Sequence, residues 1–325
     1  MTPFSKGISF AVVTALCWAV LAIILKYALH FASPGTIVWF RMLCAATLMN
    51  LYFVIRRPQT YKKIISNAPL ALIIAAIFLS FNYFGYMNGL AFTSASNAQI
   101  VVQIGPLLLA LVGVFYFKES MVPAQWLGVV LAVLGFFFFD WDQGRTAMTL
   151  HSSSGGLYKY ILGTAWIAAG GVAWALFATI QKKIMAQRPD PTGHDTKNET
   201  KLNPQEVNLL IFTVCAVALL PLARFSELSP FRPDAFTPWD WVILFILGLN
   251  TIIAYGSFAE AIHRIPASYV SLVITMNPLI TILLVGLIAE FGLHFISPEP
   301  IHWRGYLGAA LVVGGVATTV SLRRT

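Results

Sequence analysis

Apolar runs of roughly membrane-crossing length dominate the chain. Ten can be marked, at about 7–29, 35–55, 69–91, 97–117, 123–139, 161–182, 205–223, 240–262, 267–289 and 304–322. A helix needs about 20 residues to cross the hydrocarbon layer. From Ile64 to Phe117 the chain carries no Asp, Glu, Lys or Arg over 54 residues, so this stretch must hold two crossings. The turn between them falls at "TSASN", residues 93–97, which is short, small and polar. The fifth run is short, but Trp126 and Trp141 at its flanks suit a membrane interface. The first run follows Lys6, yet it exceeds a signal-peptide h-region and lacks a cleavage site, so it reads as a retained helix. Two polar stretches read as loops: 140–160, with "DWDQGRT" and "HSSSGG", and 183–204, with "RPDPTGHDTKNETK". The second has the composition of a mobile segment.

The runs repeat. "NAQIVVQIGP" from Asn97 and "YVSLVITMNP" from Tyr269 each end on a proline, Pro106 and Pro278, at a constant offset of 172. At that offset Ala95, Ser96, Val101 and Leu107 match Ala267, Ser268, Val273 and Leu279, and Tyr83 matches Tyr255. "CWAV" and "AWAL" align Trp18 with Trp174, and Gly128/Gly135 echo Gly308/Gly315. The same order across five helices marks an internal repeat. The halves fall at 1–142 and 161–325, joined by a polar connection at 143–160. Five crossings per half is odd, so the second half must enter from the opposite side. The pattern therefore predicts two inverted five-helix repeats, an arrangement usual in transporters. Each proline removes a backbone hydrogen bond. The carbonyls of Val102 and Ile274 then need a partner or a wet cavity. Pro106 and Pro278 are thus candidate hinges, or simply kinks that fit helices together.

Composition agrees with a bilayer as solvent: 58% of residues are hydrophobic and 10% charged, against about 25% charged in soluble domains. The net charge of +8 does not point to nucleic acid, because the basic residues cluster between apolar runs. With the N-terminus inside, fourteen Lys and Arg fall on the inner side and five on the outer, leaving Lys26 and Arg41 within spans. That bias puts both termini in the cytoplasm. Cys17, Cys44 and Cys215 are far apart within apolar runs, which predicts neither disulfides nor a metal site. No cofactor is implied.

Polar side chains at membrane depth are the candidate chemistry. Arg41 could fix an anionic substrate group or tie helices together through carbonyls. Lys26 could snorkel or act. Glu260 could carry a coupling proton or pair with Arg264 one turn later. Uncharged candidates are Asn82, Tyr83, Tyr86, Gln99, Gln103, Tyr255, Thr275 and Asn277, with Asn88 nearby. Gln99 and Gln103 share a helix face. Their amides could line a cavity or bond between helices, and Ser96 with Gln99 also fits a capping box. Trp18 and Trp174 lie too deep for an interface belt and could line a cavity or pack helices.

The chain resembles the drug/metabolite transporter superfamily in its EamA branch. The resemblance rests on "ALCWAVLAIILKYAL" with Pro34, "WFRMLCAA" around Arg41, "GLAFTSASNAQIVVQIGPLLLALVGVFYFKES", "WLGVVLAVLGFF", "AIHRIPASYVSLVITMNPLITILLVGLIAE" and "LGAALVVGG". It covers nearly the whole chain outside 140–160 and 183–204. It implies ten helices and a central cavity walled by helices 1–4 and 6–9, with helices 5 and 10 structural. It also implies transport of amino acids, sugars, nucleobases or related small metabolites across the bacterial inner membrane, often outward. The long "FGLHFISPEPIHW" segment (291–303) and the polar stretch 183–204 depart from the pattern and could alter gating or partners.

The favoured function is a secondary transporter of a small polar metabolite, an amino acid or related compound, working by alternating access in export or exchange. Its partners are a small-molecule substrate and the bilayer; a homo-oligomer is open, though a monomer can suffice. A membrane enzyme is disfavoured, since no HExxH, GxSxG or His/Cys cluster is present. A sensor or scaffold would need an output domain. ATP coupling would need a GxxxxGK[ST] loop, which is missing.

Overall fold

The computed structural model describes residues 2–66, 68–116, 122–150, 156–186, 202–225, 233–265, 267–291 and 301–321. Among these, the regular structure is helical. The elements are α1 (Pro3–Ala28), α2 (Pro34–Arg56), α3 (Pro58–Ser66), α4 (Leu70–Phe92), α5 (Ala95–Val101), α6 (Ile104–Phe115), α7 (Pro123–Leu150), α8 (Gly156–Ala186), α9 (Pro204–Phe225), α10 (Pro238–Arg264), α11 (Ala267–Ile274), α12 (Asn277–Glu290) and α13 (Trp303–Ser321). Among the described residues, seven helices (α1, α2, α4, α7, α8, α9 and α10) are long and apolar enough to cross a membrane.

Helix starts follow from local chemistry. Thr2, Ser33 and Thr237 each accept a backbone N–H from the first turn, and each is followed by a proline whose missing N–H costs nothing there. Asp240 completes a capping box with Thr237. The cap expected at Ser96 is instead Ser94, whose hydroxyl accepts from Asn97 N at 3.1 Å. The helix starts earlier because Ser94 has extended backbone and Ser96 is already helical.

Three helix pairs, α4–α8, α2–α9 and α7–α13, approach through glycine. On α4 and α8, a Cβ at Gly85 would lie 2.8 Å from Trp166 O. On α2, one at Gly35 would lie 2.6 Å from Leu222 O of α9. On α7, one at Gly135 would sit 2.5 Å from Val312 N and 2.7 Å from Gly308 O of α13. Lipid tails are as apolar as leucine, so close packing of this kind is what holds membrane helices together. The opposite face of α7, with Leu127, Val130, Leu134 and Phe137, is exposed as a lipid-facing surface would be.

Two apolar runs are broken. Residues 102–103 separate α5 from α6, and residues 275–276 separate α11 from α12. Each break comes just before a repeat proline. The carbonyls freed by the prolines do find partners. Val102 O accepts from Gly105 N at 2.9 Å, a tightened turn. With its amide oriented as its neighbours require, Asn277 donates to Ile274 O at 3.2 Å and to Ala15 O of α1 at 2.8 Å.

The stretch 140–160 is not the loop expected. Helix α7 continues through "DWDQGRT" to Leu150, and α8 already begins at Gly156. Burial explains it: Asp142, Gln143 and Thr146 form a buried polar face on this extension. The short helix α3 was also not foreseen; it buries Ile64 and leaves Lys62 and Lys63 exposed. Most of the 183–204 stretch, most of 291–303 and "HSSSG" lie outside the described residues. The three cysteines are free, and Cys44 fills the gap over Gly248.

The α7–α13 contact yields a direct test. Gly135→Leu should lower the thermal unfolding midpoint in detergent or abolish the monodisperse peak on size exclusion, since overpacking costs about 1–3 kcal/mol even where only side chains must yield. Gly286→Leu should leave both unchanged, because no described heavy atom lies within 4 Å of a Cβ there.

Candidate functional site

A cavity of about 650 Å³, mouth included, opens where the broken helices meet α1, α2, α4, α8 and α10. Ten of the eleven sequence-derived binding candidates line it: Trp18, Arg41, Asn82, Tyr83, Tyr86, Gln99, Gln103, Trp174, Tyr255 and Asn277. Leu21, Leu25, Val102, Pro106 and Ile274 complete the wall.

Arg41 supplies the charge. It comes from the N-terminal third of α2 and is 2% exposed. Its Nε donates to Thr251 Oγ1 at 3.2 Å, and Nη2 lies 3.5 Å from the Tyr83 hydroxyl. The guanidinium also sits over the Tyr83 ring, 4.7 Å from its centre. Among the described residues no carboxylate forms an ion pair with it. Arginine does not lose its proton in proteins, so the cavity wall carries a fixed, partly satisfied positive charge.

The aromatic side chains form one cluster. Trp18 meets Trp174 edge-on at 6.1 Å, and Tyr83 lies 5.9 Å from Tyr255. Both pairs are mates in the sequence repeat, so the repeat brings equivalent positions face to face. Trp18 also touches Tyr255 at 5.3 Å and Phe258 at 5.8 Å.

The amides are partly committed. Gln99 Nε2 donates to Trp18 O at 2.9 Å, and Asn82 Nδ2 to Gly170 O of α8 at 2.9 Å. These bonds anchor α5 to α1 and α4 to α8. Gln103 Nε2 lies 3.4 Å from Gln99 O, while its Oε1 is buried without a protein partner among the described residues. A buried acceptor left open in a cavity calls for a donor from water or a ligand.

Other candidates lie elsewhere. The Thr275 hydroxyl is buried and spent on Ser271 O at 2.7 Å, in the last turn of the preceding helix; it does not line the cavity. Asn88 likewise donates to Phe84 O at 2.8 Å. Lys26 Nζ donates to Leu90 O at 2.8 Å and Thr93 O at 2.5 Å, closing the last turn of α4, where carbonyls favour a cation. Glu260 is ion-paired with Arg264 and accepts from Gln205 Nε2 at 3.2 Å. Arg264 in turn lies over the Phe10 ring at 5.2 Å, so the group ties α10 to α9 and α1 outside the cavity. Of the two prolines, Pro106 lines the cavity and Pro278 is buried beside it in sequence from Asn277.

Sequence reasoning missed Thr251, Phe258 and Asn250. Thr251 and Phe258 sit one turn either side of Tyr255 and share its face, a spacing that could have found them. Asn250 donates to Cys17 O at 3.1 Å, a contact between halves that no local pattern reveals.

Comparison with known proteins gives the family. A model described as the EamA-like transporter family matches residues 5–139 and again 161–321. An uncharacterised transporter of Haemophilus influenzae is 31% identical over 95% of this chain and 92% of its own length. The uncharacterised inner membrane transporter YhbE of Escherichia coli K12 is 26% identical over 95% and 89%. The uncharacterised transporter YyaM of Bacillus subtilis is 26% identical over 92% and 88%. A crystal structure 17% identical to this chain superposes with a TM-score of 0.66, covering 99% of each chain, and so shares its fold. With both halves of the sequence matched by one model, this multi-pass membrane protein belongs to the EamA-like transporter family.

Proposed function

We propose that the chain is a secondary transporter that moves a small metabolite bearing a carboxylate or related anion, an amino acid being favoured, across the bacterial inner membrane by alternating access. Arg41 is the observation that carries this reading: a buried cation with no ion-paired carboxylate among the described residues, at the wall of a central cavity. Such a charge within a span is a functional-site hypothesis by default. The aromatic wall suits the side chain of the substrate, and the open Gln103 Oε1 suits an ammonium or other donor.

Ten crossings in two inverted repeats fit this reading when α5 with α6, and α11 with α12, each count as one broken crossing. The helix contacts support it. Packing of α1 of the first half on α10 of the second corresponds to packing of α8 of the second half on α4 of the first, and α2 on α9 and α7 on α13 map onto themselves. A two-fold axis in the membrane plane would generate that pattern, and the contact of the repeat mates Trp18 and Trp174 supports one passing between them. Rocking one half against the other about such an axis would expose the cavity to each side in turn. The family and the names of the relatives argue for transport over catalysis. Export or exchange is the favoured mode. Glu260, engaged by Arg264 and Gln205, is a structural ion pair in this reading and not a proton carrier.

Orientation is tested by single cysteines in a cysteine-free protein in intact cells. Lys62→Cys should react only with a membrane-permeant maleimide, and Arg304→Cys also with an impermeant one. The reverse pattern would place the N-terminus outside. Function is tested by uptake of labelled amino acids and sugars into proteoliposomes, with and without an imposed pH gradient. Arg41→Gln should raise the KM for carboxylate substrates about 10- to 100-fold, the worth of a hydrogen bond to a charged group. An unchanged KM would remove Arg41 from the site.

A further inference from the structure

The unforeseen extension of α7 carries a carboxylate to the helix that walls the cavity. Asp140 Oδ1 accepts from the Tyr160 hydroxyl of α8 at 2.8 Å. The same hydroxyl lies 3.2 Å from Asn97 Oδ1 in the first turn of α5. Asn97 is fully buried, and its Nδ2 donates to Thr164 Oγ1 of α8 at 3.3 Å. Two and six residues further along, Gln99 and Gln103 line the cavity. One hydroxyl therefore links a carboxylate to the broken helix of the binding site.

The charges around Asp140 leave it without a counter-ion. Among the described residues no Lys, Arg or His forms an ion pair with it. Asp142, on the same helix, is engaged by α13: its Oδ2 accepts from His302 N at 3.2 Å and its Oδ1 is 3.7 Å from His302 Nδ1. Arg145 of α7, Lys159 of α8 and Arg304 of α13 are exposed, and α5 contributes only neutral Ser94, Ser96 and Asn97. The partner the structure gives this half-buried carboxylate is a neutral hydroxyl, not a cation.

We propose that Asp140 is the proton-binding site of this transporter, reached from the outer face, and that Tyr160 relays its state to α5. The hydroxyl of Tyr160 has one proton and three acceptors within reach: Asp140 Oδ1 at 2.8 Å, Asn97 Oδ1 at 3.2 Å and, farthest, Asp140 O at 3.4 Å. With Asp140 ionised, that proton goes to the carboxylate. When Asp140 takes up a proton, the carboxyl becomes a donor to the Tyr160 oxygen, and the Tyr160 hydroxyl turns to Asn97 Oδ1. One proton enters, no bond between heavy atoms changes, and the grip on the outer end of α5 tightens. The outer-face assignment rests on the orientation proposed above, in which α7 ends and α5 and α8 begin outside.

The test uses the full chain in nanodiscs and two readouts that need no substrate. Infrared difference spectra between about pH 5 and pH 8 should show a protonated-carboxyl band that is absent in Asp140→Asn. Alkylation of Val102→Cys, placed at the break in a cysteine-free protein, reports on α5. The ratio of its rate to that in the Asp140→Asn background, which cancels thiol ionisation, should change about fivefold or more across that range. Tyr160→Phe, which keeps the ring, should retain the band and lose the response of the reporter. Asp142→Asn should retain both. A band that survives in Asp140→Asn, or a ratio that stays flat, would overturn the proposal. In proteoliposomes, Asp140→Asn should abolish dependence on the pH gradient and spare gradient-free exchange. If the substrate panel shows no transport at all, the functional reading fails, while the spectra and the reporter still decide the proton site.

Discussion

A bilayer core offers no partner for a backbone N–H or C=O, and the structure is organised around that constraint. Unbroken helices satisfy it automatically. The two broken helices do not, and each repairs its break differently. Val102 O is recaptured by Gly105 N in a tight turn. Ile274 O is met by the Asn277 side chain, which also grips Ala15 O across the interface. The irregular backbone lies where it lines a cavity; at membrane depth such backbone is tolerated only there or buried in protein. Site and break are thus one feature: the residues that terminate α5 and begin α12 are also wall residues.

Close helix packing supplies the frame. The two members of the α7–α13 pair meet through glycine backbones, as do α4 and α8. Around this frame the polar side chains divide by role. Lys26 closes α4, Glu260 and Arg264 tie α10 to its neighbours, and Asn82 and Gln99 pin helices to one another. Arg41 is held by Thr251 and Tyr83, two neutral groups, and keeps an unmatched charge at the cavity. A purely structural arginine at this depth would be expected to pair with a carboxylate or with backbone carbonyls.

Much of the cavity was legible in the sequence, because the repeat marks it twice. Trp18 and Trp174, and Tyr83 and Tyr255, could be paired by alignment alone, and the structure brings both pairs into contact. Depth within an apolar run was enough to nominate Gln103 and Asn277. Thr275 shows the limit of that logic. Depth says that a hydroxyl must find a partner, yet cannot say that the last turn of the preceding helix supplies one. The extension of α7 was hidden for a related reason. "DWDQGRT" reads as a loop by polarity, and only the partners from α5, α8 and α13 make it a buried helical face. Thr251 and Asn250 act across the halves of the chain, a relation that local periodicity does not contain.

The central claim is that a fixed positive charge selects the substrate. It is tested most directly by equilibrium binding to the purified protein in nanodiscs, comparing amino acids with their neutral amide derivatives. The account predicts that each acid which binds does so at least about tenfold more tightly than its amide, with the difference lost in Arg41→Gln. Equal affinity for acid and amide, or a preference for organic cations, would contradict it.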